Sequence, residues 1–409
     1  MPSFVLITAC IALAATEAAP SITVQQAVEL ALERNPSILF TRAEVAAARA
    51  RLDGASVLLR SNPEVEGSAG PRRTSDGRST DLGFGVKQQI EIFGQRGARI
   101  DAAGALVASA EATLESRRVA IAAEVREAFA RRLAAAQRLR VADEALALAE
   151  EALRAAEARQ RSGAASKIEV NAARSSLGRA VRERALAVQR DAAAVGAFVV
   201  LVGLDPSVPV TLQGDLSVTP GEPPALPSLV ERALAQRPDV RSARQEVEAA
   251  RAERRLAGRE ALPSPRLGVT YSEEGDAGGK ARITQGVLAF DLPLFNRNQG
   301  GRGVAAARLV QTERALDALT RAVHTEVGVA ATRVSAAATA AQAYAGGLLT
   351  GLEENMELVN EAYRAGKVGF FELLVIRRET LDARIGYIDA LEELQAARAQ
   401  LARAIGSIE

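Results

Sequence analysis

His324 is the chain's one imidazole and Cys10 its one thiol. A zinc-type site needs three or four Cys, His or carboxylate ligands, and a thiol nucleophile needs a base beside it. One of each therefore cannot build a Cys/His metal centre, an internal disulfide or a Cys/His nucleophile pair. His324 falls in a long helical pattern without a partner motif and reads as a surface or packing residue. Gly275 to Lys280 lacks the spacing of a phosphate-binding loop and its Ser or Thr, and Gly300-Gly301-Arg302-Gly303 follows no parallel βαβ pattern, so both read as turns. Glu353-Glu354 could be drawn as an acid and a base, but Arg and Lys lie nearby and a solvated helix face is expected. Glu169 and Glu372 have a more specific setting, because each lies six residues after a glycine, Gly163 and Gly366. They are either charges that favour a helix start or equivalent carboxylates presented near the tips of two repeats. No clustered catalytic set is present, so neither an enzyme nor a cofactor is expected.

The elements that must carry these residues follow from composition. Of 409 residues 48% are hydrophobic, yet only 3% are aromatic and Trp is absent. Ala and Arg dominate, which replaces bulky core filling by small residues of high helix propensity and points to long, closely packed helices. The 51 basic and 50 acidic residues are mixed along the chain and leave a net charge of +1. No basic face for nucleic acid results. Phe4 to Ala15 is an apolar run followed by small residues through Ala19, so residues 1–19 read as a signal peptide and the protein as exported. Cys10 then lies inside the apolar region, the reading preferred to a lipoprotein cleavage box at Ile7 to Cys10. The best apolar stretch, Val195 to Leu204, covers about half the length of a membrane-spanning helix. A membrane would have to be crossed by strands.

The chain is written twice. Val28, Leu32, Pro36, Glu44, Val45 and Arg49 recur as Val230, Leu234, Pro238, Glu246, Val247 and Arg251, and 230 minus 28 gives an offset of 202. The same offset carries Pro63 to Pro265, Phe93 to Phe295, Glu111 to Glu313 and Glu124 to Glu326. One inserted residue later, Gly163, Glu169 and Arg174 match Gly366, Glu372 and Arg377. The first repeat spans 20–203, a Pro/Gly-rich equatorial linker 204–228 with Val210 to Leu212 as a short strand, and the second repeat 229–409.

Each repeat has the same order: a short helix to a proline break, a second helix, a strand pair and a long helical hairpin. The strands are read at Glu64 to Gly70 and Leu82 to Ile92 around the polar loop Pro71 to Thr80, and on either side of Glu273 to Ala281. Leu82, Phe84 and Val86 alternate with Gly83, Gly85 and Lys87, so one face is apolar and the other polar. Long helices follow at about Gly97 to Gln160 and Gly303 to Arg364, each roughly 90 to 100 Å at the α-helical rise. Leu139, Leu146 and Leu153 recur every seven residues beside Ala135, Ala142 and Ala149, a seam that admits close helix approach. Gly163 and Gly366 mark the reversals. Four strands cannot close a barrel, and an open sheet edge cannot stand in lipid, so several chains must share one barrel.

Over about residues 23–405 the sequence resembles the TolC-type outer-membrane factor family. The resemblance rests on Ala31-Leu32 to Pro36 and Ala233-Leu234 to Pro238, Glu91-Ile92-Phe93-Gly94-Gln95-Arg96, Leu292-Pro293-Leu294-Phe295-Asn296-Arg297-Asn298-Gln299-Gly300, and Tyr363-x-x-Gly366 with Glu372-Leu373-Leu374. It implies a mainly α fold with a small β part: a homotrimer with a periplasmic α-barrel of duplicated hairpins, and a shared twelve-stranded barrel in outer-membrane lipid. It also implies a periplasmic adaptor (membrane fusion) protein and an inner-membrane pump, expected to be proton-driven, as partners. The expected function is the exit duct of a tripartite efflux system, most like the branch that serves cobalt-zinc-cadmium type cation exporters. By the resemblance Glu169, Glu372 and Lys367 are periplasmic gate candidates, although the family's second acid falls on Val375 and its arginine on Val368. Arg159, Ser162, Gly163, Ser166, Gly366 and Gly369 are candidates for the adaptor-docking tips. The alternatives are a type I secretion duct, a periplasmic coiled-coil scaffold or an efflux adaptor; an adaptor has one hairpin and a large β-rich remainder, whereas this chain has two hairpins and two strand pairs.

Overall fold

The computed structural model describes residues 21–74, 77–207, 209–217, 225–276 and 279–408, and the expected signal peptide lies outside them. In chain order the elements are β1 (Ser21–Ile22), α1 (Val24–Arg34), α2 (Pro36–Ser56), β2 (Glu64–Thr74), β3 (Gly77–Gln89), α3 (Gln95–Arg161), α4 (Lys167–Val202) and β4 (Thr211–Leu212). The second repeat follows with α5 (Leu226–Gln236), α6 (Pro238–Arg259), β5 (Arg266–Asp276), β6 (Gly279–Ala289), α7 (Gln299–Ala343), α8 (Leu349–Arg364) and α9 (Phe370–Ile405). Thr23 starts α1 through a capping box with Gln26. Pro36 and Pro238 separate α1 from α2 and α5 from α6, since the residue before a proline avoids the helical region.

The described residues form two compact units. The sheet unit takes in residues 36–120, 225–331 and 401–408, and the hairpin unit 21–35, 121–217 and 332–400.

In the sheet unit four strands run in the order β2-β3-β5-β6, every neighbour antiparallel. The strands are longer than their sequence pattern indicated. Pro71 pairs with Thr80 and Arg73 with Arg78, and Glu273 pairs with Arg282 and Gly275 with Lys280, so most of the residues read as polar loops continue the ladders. A salt bridge from Arg72 to Asp81 at 2.8 Å stitches the extension of the first pair, which weak β formers would not hold by propensity. The helical part of this unit has a core of Leu229, Val230, Ala233, Val240, Val323 and Val327. Arg237 is buried there, with Asp239 at 2.6 Å, Glu326 at 2.7 Å and the Ala404 carbonyl at 3.2 Å. The duplication extends to contacts: Arg49 bonds Glu111 at 2.6 Å, and Arg251 bonds Glu313 at 3.4 Å.

In the hairpin unit α3 returns through α4, and α8 through α9. Ala149, Ala152 and Ala156 are buried along α3, as the small-residue seam requires. Phe129 and Phe198 pack edge to face at 6.1 Å, and Asn35 donates to the Leu201 carbonyl at 2.8 Å. By length and composition α4 could cross a membrane, whereas the sequence showed only a half-length apolar run. Its Ala187, Ala194, Phe198, Val199 and Val202 are buried within the protein, and Arg132 pairs with its Asp191 at 2.5 Å. It is a packed helix of the unit. The linker strand appears as β4, parallel to β1.

The second long helix departs from expectation. Instead of one helix from Gly303 to Arg364, α7 stops at Ala343, the helix is kinked across Tyr344–Leu348, where Gly346 and Gly347 leave helical backbone angles, and α8 resumes at Leu349. Gly347 there has φ 107°, which a residue without a side chain adopts at little cost. The repeat offset is 202 from Glu124 to Glu326 but 203 from Glu157 to Asn360. The inserted residue and the break in the helix both fall between Glu326 and Asn360.

Candidate functional site: sheet faces and hairpin tips

Partners across an antiparallel ladder project to the same side. Val65 opposes Val86, which opposes Val269, and Phe84 opposes Tyr271; with Leu288 these form one face, and all six are exposed. The other face carries Glu66, Arg72, Asp81, Lys87 and Glu274. Lys87 bonds Glu66 at 2.6 Å, and Arg72 bonds Asp81 and Glu274. An exposed apolar face with a charged, internally paired reverse is the section of a barrel wall between lipid and an aqueous bore. Among the described residues β2 and β6 each pair on one side only, so both sheet edges offer unmade ladder bonds.

At the tips the backbone explains the two glycines. Gly163 has φ 75°, with Ala164 N–H bonding the Arg159 carbonyl at 2.8 Å. Gly366 has φ 73°, with Lys367 N–H bonding the Ala362 carbonyl at 2.8 Å. Both are left-handed helix stops in which the following amide reaches five residues back. Ser166 caps α4 by accepting from Glu169 N–H at 3.3 Å, and Ser162 donates to the Arg159 carbonyl at 2.9 Å. Ser162, Gly163, Ser166, Gly366, Lys367 and Gly369 are all exposed.

The two candidate carboxylates are held differently. Glu372 is exposed and accepts the Gly369 N–H at 3.0 Å, the arrangement of a helix-start charge. Glu169 is 14% exposed and joins the two hairpins: Tyr363 of α8 donates to it at 3.4 Å, and Arg159 of α3 stands 3.8 Å away. The Arg159 guanidinium also lies 4.8 Å from the Tyr363 ring centroid, a cation–π stack. Burial pushes the Tyr363 hydroxyl above its ordinary value and Arg159 only partly opposes this, so the hydroxyl remains a donor. Phe370 and Leu373 pack beside Tyr363 against Ala156, Val170 and Ala173.

Sequence reasoning treated the charged helix faces as solvated and so missed the ties between hairpins. Glu353 is not a free carboxylate: Arg384 donates to it at 2.8 Å and to Glu144 of α3 at 2.9 Å. Arg138 of α3 bonds Asp389 and Glu392 of α9. Within each hairpin the repeats match again, with Arg174 donating to Glu157 at 3.1 Å and Arg377 to Asn360 at 2.9 Å. His324 is exposed on α7. Among the described residues no group of three His, Cys, Asp or Glu is placed to hold a metal ion.

The model of the family described as outer membrane efflux protein matches residues 27–203 and 229–407. The cobalt-zinc-cadmium resistance protein CzcC of Cupriavidus metallidurans is 27% identical over 398 residues, covering 95% of this chain and 91% of that one. CusC, whose structures concern folding and transmembrane channel formation, superposes with a TM-score of 0.78 at 19% identity, over 94% of this chain and 92% of that one. The outer membrane protein VceC of Vibrio cholerae gives 0.74 at 18% identity, over 94% and 97% of the two chains. The open-state MtrE channel of Neisseria gonorrhoeae gives 0.75 at 19% identity, over 94% and 89%. At such identities the structural likeness is one of fold.

Proposed function

Because the chain belongs to the outer membrane efflux protein family and is an outer-membrane efflux channel rather than an enzyme, we propose that three copies form the exit duct of a tripartite system for divalent transition-metal cations. The four-stranded sheet carries this reading. Its two open edges cannot face lipid, and three copies would close them into twelve strands with the apolar faces outward and the charged faces lining the bore. The metal substrate class rests on the likeness to the cobalt-zinc-cadmium resistance protein along nearly the whole chain.

The hairpin tips are the proposed docking surface for a periplasmic adaptor that links the duct to an inner-membrane pump. Arg159, Ser162, Gly163, Ser166, Gly366 and Gly369 are its candidate contacts. Glu169, Glu372 and Lys367 are the candidate gate groups, and the Glu169–Tyr363–Arg159 cluster supports such a role by fastening one hairpin tip to the other. The experiment is complementation. Deleting this chain in a host that keeps the adaptor and pump should lower tolerance to zinc, cobalt and cadmium, and restoring it should recover tolerance. Unchanged tolerance would remove metal cations as the substrate.

A further inference from the structure

Arg72, Asp81 and Glu274 meet on the charged face of the sheet, at the end away from the helices. β2 ends at Thr74 and β3 starts at Gly77, while β5 ends at Asp276 and β6 starts at Gly279, so the trio lies close to both strand reversals. One guanidinium serves two carboxylates: Arg72 Nε donates to Asp81 at 2.8 Å, and Arg72 Nη2 donates to Glu274. The other oxygen of Asp81 accepts the Gly275 N–H at 3.3 Å, and Ser79 donates to the Gly275 carbonyl at 2.6 Å, which ties β3 to β5 at the same level. The side chains of Arg72, Asp81 and Glu274 are 35%, 33% and 36% exposed. Water and small ions therefore reach them.

The balance of charge in the trio differs from that nearer the helices. There Lys87 and Glu66 pair one to one at 2.6 Å. In the trio two carboxylates share one cation, which leaves a negative charge in excess. The repeat offset of 202 relates Arg72 to Glu274, so the two repeats place opposite charges at equivalent positions and bond them to each other. Carboxylate oxygens from neighbouring strands that converge on one point are also the donors that divalent cations take. The guanidinium fills the point where such an ion would sit.

We propose that Arg72 sets permeation at the exit of the duct, as a built-in counter-ion that lets divalent cations pass the Asp81–Glu274 pair without lodging there. A fixed cation held between two carboxylates competes with any mobile one for the same oxygens, and repulsion between the two cations adds to the competition. The excess carboxylate charge still favours cations over anions. The trio thus keeps a cation preference while denying a binding site. This rests on the reading of the charged face as the wall of the bore.

Planar-bilayer recording of the assembled channel tests the proposal, with cadmium ion as the probe. Arg72→Gln frees both carboxylates, and half-block should need about tenfold less cadmium than in the parent channel. Arg72→Lys keeps the charge and should stay near the parent. A purely structural bridge would group the two variants together, because lysine cannot reproduce the two-pronged bond of the guanidinium. The Arg72→Gln, Asp81→Asn, Glu274→Gln triple variant should lose the added block. If Arg72→Gln does not assemble, the Asp81→Asn, Glu274→Gln double variant carries the test, since it leaves the guanidinium without carboxylates and should move the reversal potential toward anions. Parent-like block in Arg72→Gln, equal block in Arg72→Lys and Arg72→Gln, added block that survives in the triple variant, or a parent-like reversal potential in the double variant each overturns the proposal. Thr270 lies in line with Gly85 and Glu66 on the same face, so a charged methanethiosulfonate should lower the conductance of Thr270→Cys and leave the parent's unchanged. If it does so while Arg72→Gln stays parent-like, only the assignment of Arg72 falls. If Thr270→Cys is also unaffected, the reading of that face as the bore wall falls with it.

Discussion

Tyr363 donates to Glu169 across 3.4 Å and so joins the last turn of α8 to the first turn of α4, under the guanidinium of Arg159. A single bond of this kind contributes about 1 kcal/mol, roughly a fivefold change in the population of a parted tip. Tyr363→Phe and Glu169→Ala should each raise the fraction of time spent at high conductance in planar-bilayer recordings by about that factor. The double variant should match either single one, because the two changes remove the same contact. Fully additive effects would show that the two residues act separately.

The Gly347 backbone makes a prediction of opposite signs. Gly347→Ala forces a side chain into φ 107° and should cost about 1 to 3 kcal/mol. Gly351→Ala, inside α8 with no atom near its added methyl, should instead stabilise by up to about 1 kcal/mol. Thermal unfolding followed by helical circular dichroism reads both. Equal effects at the two positions would contradict the positive-φ kink at Gly347.

The sheet faces differ in their tolerance of charge. Val86→Arg places a guanidinium on the apolar face, at a cost of about 2 to 4 kcal/mol near mid-membrane. Gln285→Arg, on the opposite face of β6, should be nearly silent. The yield of assembled channel in the outer-membrane fraction should fall for the first and stay near the parent's for the second.

Asp239 sets an acid limit on the sheet unit. Burial alone would raise its carboxyl, but the hydrogen bonds and charge of Arg237 outweigh that and hold it below the ordinary 3.8. The folded state therefore binds the proton less tightly than the unfolded state does. The pair's contribution is full above about pH 4 and is lost as pH falls through the folded value. The melting temperature should drop across that acid range, and Asp239→Asn should flatten the drop while lowering stability at neutral pH.

The duplication, the hairpin reversals at Gly163 and Gly366 and the strand alternation were legible in the sequence because they depend on local period and on glycine and proline. The extension of β2 to Thr74 and the start of β3 at Gly77 were not, since they rest on ladder pairing and the Arg72–Asp81 bridge rather than on propensity. The shift of the repeat offset revealed an inserted residue but not its place, because Ala-rich helix matches itself at many registers. Glu169 could be picked out by its spacing from Gly163. Its partner Tyr363 lies 194 residues away, and no local pattern connects them. Arg384 was hidden for the same reason, its partner Glu144 being 240 residues away.

Everything proposed for the duct depends on several chains completing one barrel. Native mass spectrometry of the protein extracted from outer membranes in mild detergent counts those chains without further assumption. Three copies per particle are predicted, since three sheets of four strands supply the twelve of the proposed barrel. A stable single-chain particle, with both edges of its sheet bare to detergent, would contradict the account.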